Sequence, residues 1–106
     1  MPDHRRPQLR ITAPALTDIE DIATYTVGRW DEAQARKYLE QIDNMILAVA
    51  AQPELGGNRH GIPTAIRGRK VGSHVIFYRL EDDAVLYILR ILHESMDHGR
   101  HLSAAT

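Results

Sequence analysis

The sequence predicts an α+β fold with the order β-α-α-β-β-β, in which a helical hairpin from the first half packs on one side of a small curved antiparallel sheet. Three observations carry this. Apolar residues recur at three- and four-residue spacing through two long stretches, 14–30 and 32–52, which is the helical period. The second half alternates with period two and is rich in β-branched and aromatic residues. Its last stretch, 85–93, is apolar on both faces, as only a central strand can be. With 106 residues the chain makes one domain, 1–106, around a single modest core.

Leu9 and Ile11, with polar neighbours, form a short first strand that ends at Thr12-Ala13-Pro14. Proline at a first helical position, capped by Thr12 or Ala13, opens the first helix. Leu16, Ile19, Ile22, Ala23, Thr26, Val27 and Trp30 keep its apolar stripe, while Asp18, Glu20 and Asp21 sit in early turns where the helix dipole favours acids. Gly28 and Asp31 mark its end. Asp31 also caps the second helix, with Gln34 three residues on as a capping-box partner. That helix carries Ala35, Tyr38, Leu39, Ile42, Met45, Ile46 and Val49 on one face, and Pro53 with Gly56-Gly57 stops it. The two stripes can be buried only against each other and a third surface.

After a loop over 58–63, residues 65–71 read as a short basic strand broken by Gly68, and Gly72-Ser73 as a turn. Residues 74–80 alternate His74, Ile76, Tyr78, Leu80 against Val75, Phe77, Arg79. Strict alternation in 85–93 puts Val85, Tyr87, Leu89 and Ile91 on one face and Leu86, Ile88 and Leu92 on the other, interrupted by Arg90. A buried arginine without a partner is too costly to keep, so Arg90 reaches the rim or a counter-charge. The polar tail 93–102 has no apolar period of its own, and Met96 and Leu102 read as latches folding back onto the core.

The absence of cysteine excludes a disulfide framework, a thiolate metal site and a cysteine nucleophile. Met1 to Leu9 is charged and contains proline, unlike a secretory signal, and no segment is a membrane span, so the expected location is cytoplasmic. A formal charge of -1 conceals a segregation: 12–54 holds eight acids and three bases, whereas 55–80 holds five bases and no acid. Five bases more often make a solvated strand edge than a nucleic-acid surface, and the overall balance argues against direct nucleic-acid binding by the chain alone.

Taken in order, these pieces resemble the RelE/ParE superfamily of bacterial toxins, and its ParE branch in particular. Ala15 to Ile22 with Tyr25 and Trp30 is similar to the family's first helix, and Ala33 to Tyr38 through Pro53-Glu54-Leu55-Gly56 to its second. Ile66-Arg67, Gly72 to Arg79 and Leu89 to Asp97 are similar to its meander and ending. The family's usual glycine after the tryptophan is Asp31 here. The resemblance implies an antitoxin, a small protein with a DNA-binding N-terminus and an acidic C-terminal segment that wraps the toxin in a hetero-oligomer. It also implies one of two targets. ParE-like members bind and poison DNA gyrase, whereas RelE-like members cut mRNA on the ribosome; a third reading is a RelE/ParE-fold protein that has lost toxicity and serves as a binding module.

A metal-free nuclease needs a base, an acid and cations around the phosphate, and the candidates here are Arg67, Arg79 and His93. The resemblance implies that RelE-like members use lysine and arginine on the sheet and a tyrosine or histidine-tyrosine near the end, whereas here no tyrosine follows Tyr87, which itself lies in an apolar run, and Lys37 and Lys70 are the only lysines. Gyrase inhibition by binding is therefore the leading expectation, with no catalytic residue, metal or cofactor. His93, His98 and His101 lack the fixed spacing that organises metal ligands. Target contact is assigned to Arg90, His93, Glu94, Met96, Asp97, Arg100 and His101, since a polar segment held by a rigid strand suits recognition. Arg67, Arg69, Tyr78 and Arg79 read as the sheet rim that the antitoxin covers, and Trp30 as a partner anchor if exposed at the helix turn.

Overall fold

The computed structural model describes residues 6–105, with side chains as far as Leu102. Residues 1–5 of the charged leading segment lie outside the described residues. The order is β1 (Gln8–Ile11), α1 (Ala13–Arg29), α2 (Glu32–Ala51), β2 (Arg67–Val71), β3 (His74–Glu81), β4 (Val85–His93) and a third helix, α3 (His98–Ala105). The sheet runs β1-β4-β3-β2, so β4 is central as its two apolar faces require. β2, β3 and β4 form the antiparallel meander, and β1 joins β4 in parallel, with Gln8 opposite Val85 and Ile11 opposite Ile88. Period two reveals a strand's faces but not its partner's direction, and two long helices between β1 and the meander permit the parallel return.

Thr12 makes the sharp transition from β1 to α1. Its side chain accepts from the Ala15 N–H, and its hydroxyl lies 2.9 and 3.1 Å from the carbonyl oxygens of Ile88 and Leu89. Asp31 caps α2 through the Gln34 N–H at 2.8 Å. The stripe expected on α2 is buried or half-buried throughout. On α1 the buried residues are Ala15, Asp18, Ile22 and Thr26, whereas Leu16, Val27 and Trp30 of the expected stripe are exposed, as is Tyr25.

The rotation of α1 has an electrostatic cause. Arg90, midway along β4, sends Nε and Nη2 to the two carboxylate oxygens of Asp18 at 2.8 and 2.9 Å, and Asp18 also accepts the Ile91 N–H at 2.9 Å. Both side chains are largely buried, so a bidentate geometry and the added backbone donor offset desolvation. The guanidinium pKa is raised, first by that hydrogen bond. The carboxylate expected merely to favour the helix dipole is thus the counter-charge that Arg90 needed.

A bulge corrects the face assignment of β4. Phe77 lies opposite Arg90 and Tyr78 opposite Ile88, which leaves Leu89 as the extra residue. Leu86, Ile88 and Ile91 consequently face the helical hairpin, and Tyr87, Leu89 and Leu92 the other side. That second side carries its own cluster, in which Ile66, Ile62 and Leu102 cover Val75, Phe77, Leu89 and Leu92. Leu102 is the latch expected of the tail, while Met96 is exposed and is not. Helix α3 was hidden because a short segment opening His98-Gly99-Arg100 has little helical propensity, and its docking of Leu102 supplies the stability instead.

Tyr78 is fully buried among the hairpin-facing residues, which corrects its assignment to a partner-covered rim. Its hydroxyl donates to the Pro53 carbonyl at 2.5 Å and accepts from the Gly56 N–H at 2.7 Å. A Cβ on Gly56 would lie 2.5 Å from that hydroxyl, so only glycine fits.

Two stability outcomes follow from these contacts. Asp18→Ala leaves Arg90 buried without its partner and lowers unfolding free energy by about 3 kcal/mol in a urea titration, whereas Asp18→Leu combined with Arg90→Met recovers only part of that loss, because the Ile91 N–H is left without its acceptor. Leu102→Ala costs about 2 to 4 kcal/mol as a cavity under the second face; a loss under about 0.5 kcal/mol would mean that α3 is not docked in solution.

Candidate functional site

The tail that follows β4 is a built turn. The Glu94 N–H donates to the Ser73 carbonyl at 2.8 Å, and the Lys70 ammonium meets the Glu94 carboxylate at 3.0 Å, so the turn is pinned to the β2–β3 corner. Inside it, the Met96 N–H donates to the His93 carbonyl at 3.0 Å and the Ser95 N–H to His93 Nδ1 at 3.1 Å. His98 Nε2 lies 2.9 Å from the same His93 carbonyl and must carry the proton, since a carbonyl only accepts. Asp97 Oδ1 accepts the Arg100 N–H at 3.3 Å at the start of α3, and the His98 ring packs on Phe77. Glu94, Ser95, Met96 and Asp97 are left presented outward.

Beside the turn stand Tyr38, His74 and His93. The Tyr38 hydroxyl is 2.6 Å from His74 Nδ1 and accepts the Ser73 N–H at 3.0 Å, and the His74 and His93 rings meet edge to face with centroids 5.3 Å apart across the β3–β4 pair. Burial lowers the His74 pKa first and the neighbouring His93 lowers it further, against opposing pulls from Asp18 and Glu94. Burial likewise raises the Tyr38 pKa, which holds the phenol protonated. Gly72 turns the corner at φ +57°, where a Cβ would strike the Tyr38 ring. Trp30 closes this end of the hairpin, edge-on to Tyr38 and 42% exposed. Sequence reasoning passed over Tyr38 because its place in a helical stripe already explained it.

Arg67, Arg79 and His93 do not converge. Arg67 lies opposite Tyr78 and donates to the Gly56 carbonyl at 2.8 Å. Arg79 lies opposite Tyr87, its guanidinium 5.6 Å from that ring's centroid, and pairs with Glu81 at 3.4 Å. Its buried Nε has no hydrogen-bond partner among the described residues. His93 lies opposite His74, six residues further along β4 than Tyr87, or roughly 20 Å. Among the described residues no three His, Asp or Glu side chains come together as a metal set.

Two surfaces flank the tail. On the outer side of β2, Leu55, Gly57, Arg59, Gly68, Arg69 and Lys70 line a shallow groove of about 570 Å³. Gly57 pairs with Gly68 there, and Arg69 reaches the Leu55 carbonyl at 3.4 Å. On the α1 side, Asp21, Ile22, Tyr25, Ile91, His93 and Met96 border a more apolar groove of about 440 Å³. Arg90 stands behind this second groove with its guanidinium held by Asp18. Arg100 lies exposed on α3 and His101 is half-buried there.

This architecture is that of the small toxins of bacterial toxin-antitoxin pairs. A chain of the chromosomal ParDE system from P. aeruginosa superposes with a TM-score of 0.71 over 86% of this chain and 98% of that one, at 20% identity. A mutant of the E. coli toxin RelE in the free state gives 0.62 at 16% identity, covering 95% of each chain. In sequence, Toxin ParE1 of Mycobacterium tuberculosis is 33% identical over 92 residues, 87% of this chain and 94% of that protein. Toxin ParE1 of Caulobacter vibrioides is 34% identical over 93 residues, covering 88% and 95%. Residues 9–98 match the family described as the ParE toxin of the type II toxin-antitoxin system parDE, and the chain belongs to that family.

The lowered His74 pKa fixes the sign of an acid response. The unfolded chain takes up this proton more readily than the folded one, so the contribution of a neutral His74 is complete above its unfolded value of about 6.5 and is lost as pH falls below it. Between about pH 7.5 and about pH 5.5 the melting temperature of the parent should therefore drop further than that of His74→Gln. Parallel curves would show that His74 is not held neutral.

Proposed function

We propose that this chain is the toxin of a type II pair that inhibits DNA gyrase in the cytoplasm by binding it, and that a cognate antitoxin neutralises it. The family match across 9–98 carries this reading. It is supported by the absence of convergence among Arg67, Arg79 and His93, the cations and base that RNA cleavage would use. In this reading the outward turn of His93, Glu94, Met96 and Asp97 meets the target, Arg100 and His101 extend the contact on α3, and Arg90 acts as the anchor beneath. An acidic antitoxin segment lies along the basic groove at β2, where Arg59 and Arg69 supply complementary charge, passes Arg67 on the same strand, and reaches Trp30 at the hairpin turn. Arg79, paired with Glu81, sits at the margin of that surface.

The test is a cleavage assay with purified gyrase, supercoiled DNA and this protein. The parent should accumulate linear DNA, the double variant Met96→Ser/Asp97→Asn should do so at least tenfold less, and added antitoxin should suppress it. Arg69→Gln combined with Arg59→Gln should weaken antitoxin binding about tenfold while leaving DNA breakage intact. Ribosome-dependent cutting of mRNA with no effect on gyrase would overturn the proposal.

A further inference from the structure

The groove between α1 and the end of β4 is unlike the rest of the surface. Its floor is Ile22 and Ile91, and its walls are Tyr25 and Met96, which stand 59% and 46% exposed although both are large and apolar. Aromatic and thioether side chains left in solvent around a concave apolar floor are the usual make-up of a contact centre. Among the described residues the lining contains Asp18 and Asp21 and no lysine or arginine. Asp18 is consumed by Arg90, whereas Asp21 is exposed and makes no ion pair among the described residues. His74 on the same wall is kept uncharged by burial, so at neutral pH it does not offset Asp21.

The two grooves therefore differ in charge. Among the described residues the β2 groove is lined by three bases, Arg59, Arg69 and the Glu94-paired Lys70, and by no acid, whereas the α1 groove is lined by Asp21 and the Arg90-paired Asp18 and by no lysine or arginine. An acidic antitoxin segment is drawn to the first and repelled at the second, while a target segment that joins apolar and basic residues has the opposite preference. The second groove is also continuous with the outward turn, since His93, Ser95 and Met96 belong to both.

We propose that this groove is the docking point for the protein target, and that it takes a segment carrying a bulky aliphatic or aromatic residue, seated between Tyr25 and Met96, with a lysine or arginine beside it paired to Asp21. The inference rests on the reading that the tail meets the target, and it adds a second wall, α1, and a chemistry for what is recognised. Target recognition and antitoxin capture then use different faces of the molecule.

The direct test measures fluorescence anisotropy of two labelled amphipathic peptides against the full chain, one of leucine and lysine and one of leucine and glutamate. The parent should bind the leucine-lysine peptide at least tenfold more tightly. Asp21→Lys, Met96→Ser and Tyr25→Ser should each weaken that binding at least fivefold, and Glu40→Lys, an equal charge change on the exposed side of α2, should leave it within twofold. Equal binding of the two peptides, or indifference to the three groove variants, would overturn the proposal. The same variants are then assayed for gyrase-dependent DNA breakage and antitoxin binding. Breakage lost with peptide binding, antitoxin binding retained, is the expected pattern; lost antitoxin binding assigns the groove to the antitoxin and overturns the inference. If the peptides discriminate as expected while the parent has no effect on gyrase, the groove stands and the gyrase reading falls.

Discussion

The bidentate pair between Asp18 and Arg90 sets the geometry of the rest. It joins the first helix to the middle of the central strand by two short hydrogen bonds, and a third ties the same carboxylate to the Ile91 amide. A charge pair in this position adds little stability over an apolar pair of the same volume, but its directionality fixes the rotation of α1. That rotation decides which residues of α1 are spent on the core. Ile22 goes inward, and Asp21 and Tyr25 are turned to solvent beside the end of β4. The groove at α1 is thus a by-product of how one buried arginine is neutralised.

Close by, the bulge at Leu89 lets one strand serve two cores. Without the extra residue, strict alternation would send Ile91 to the same face as Leu89, and both the packing on α1 and that on α3 would be broken. Thr12, with its hydroxyl near the carbonyls of Ile88 and Leu89, braces the strand at this irregular point. A single domain of this size has few residues to cover both sides of a sheet, and the second side is covered economically by the loop before β2 and one turn of α3.

The fold was legible where a pattern ran long enough to be unambiguous. The second helix repeats its stripe over twenty residues, and its cap and stop signals agree with its period. The centrality of β4 followed from two apolar faces. What stayed hidden was set by tertiary contact: the parallel entry of β1, the bulge, and α3, which is held by Leu102 more than by propensity. Site residues show the same division. Arg90 was marked as needing a partner, but Asp18 already had an adequate local explanation at a helix start, and Tyr78 looked like a rim residue because the acceptor for its hydroxyl, Pro53, is twenty-five residues away.

The parallel pairing of β1 with β4 bears on how the molecule is assembled in time. Gln8 lies opposite Val85, a separation of 85 − 8 = 77 residues, and its N–H donates to the Ala84 carbonyl at 2.8 Å. The helical hairpin can form early from local contacts, but its apolar stripe has no sheet to lie on until the meander exists, and the first strand has no neighbour until the last one is made. The sheet therefore closes only once β4 is in place. Only a chain that includes β4 and the turn after it can close the sheet and bring Arg90 to Asp18, so a chain stopped before residue 85 carries neither the closed sheet nor the surface beside His93.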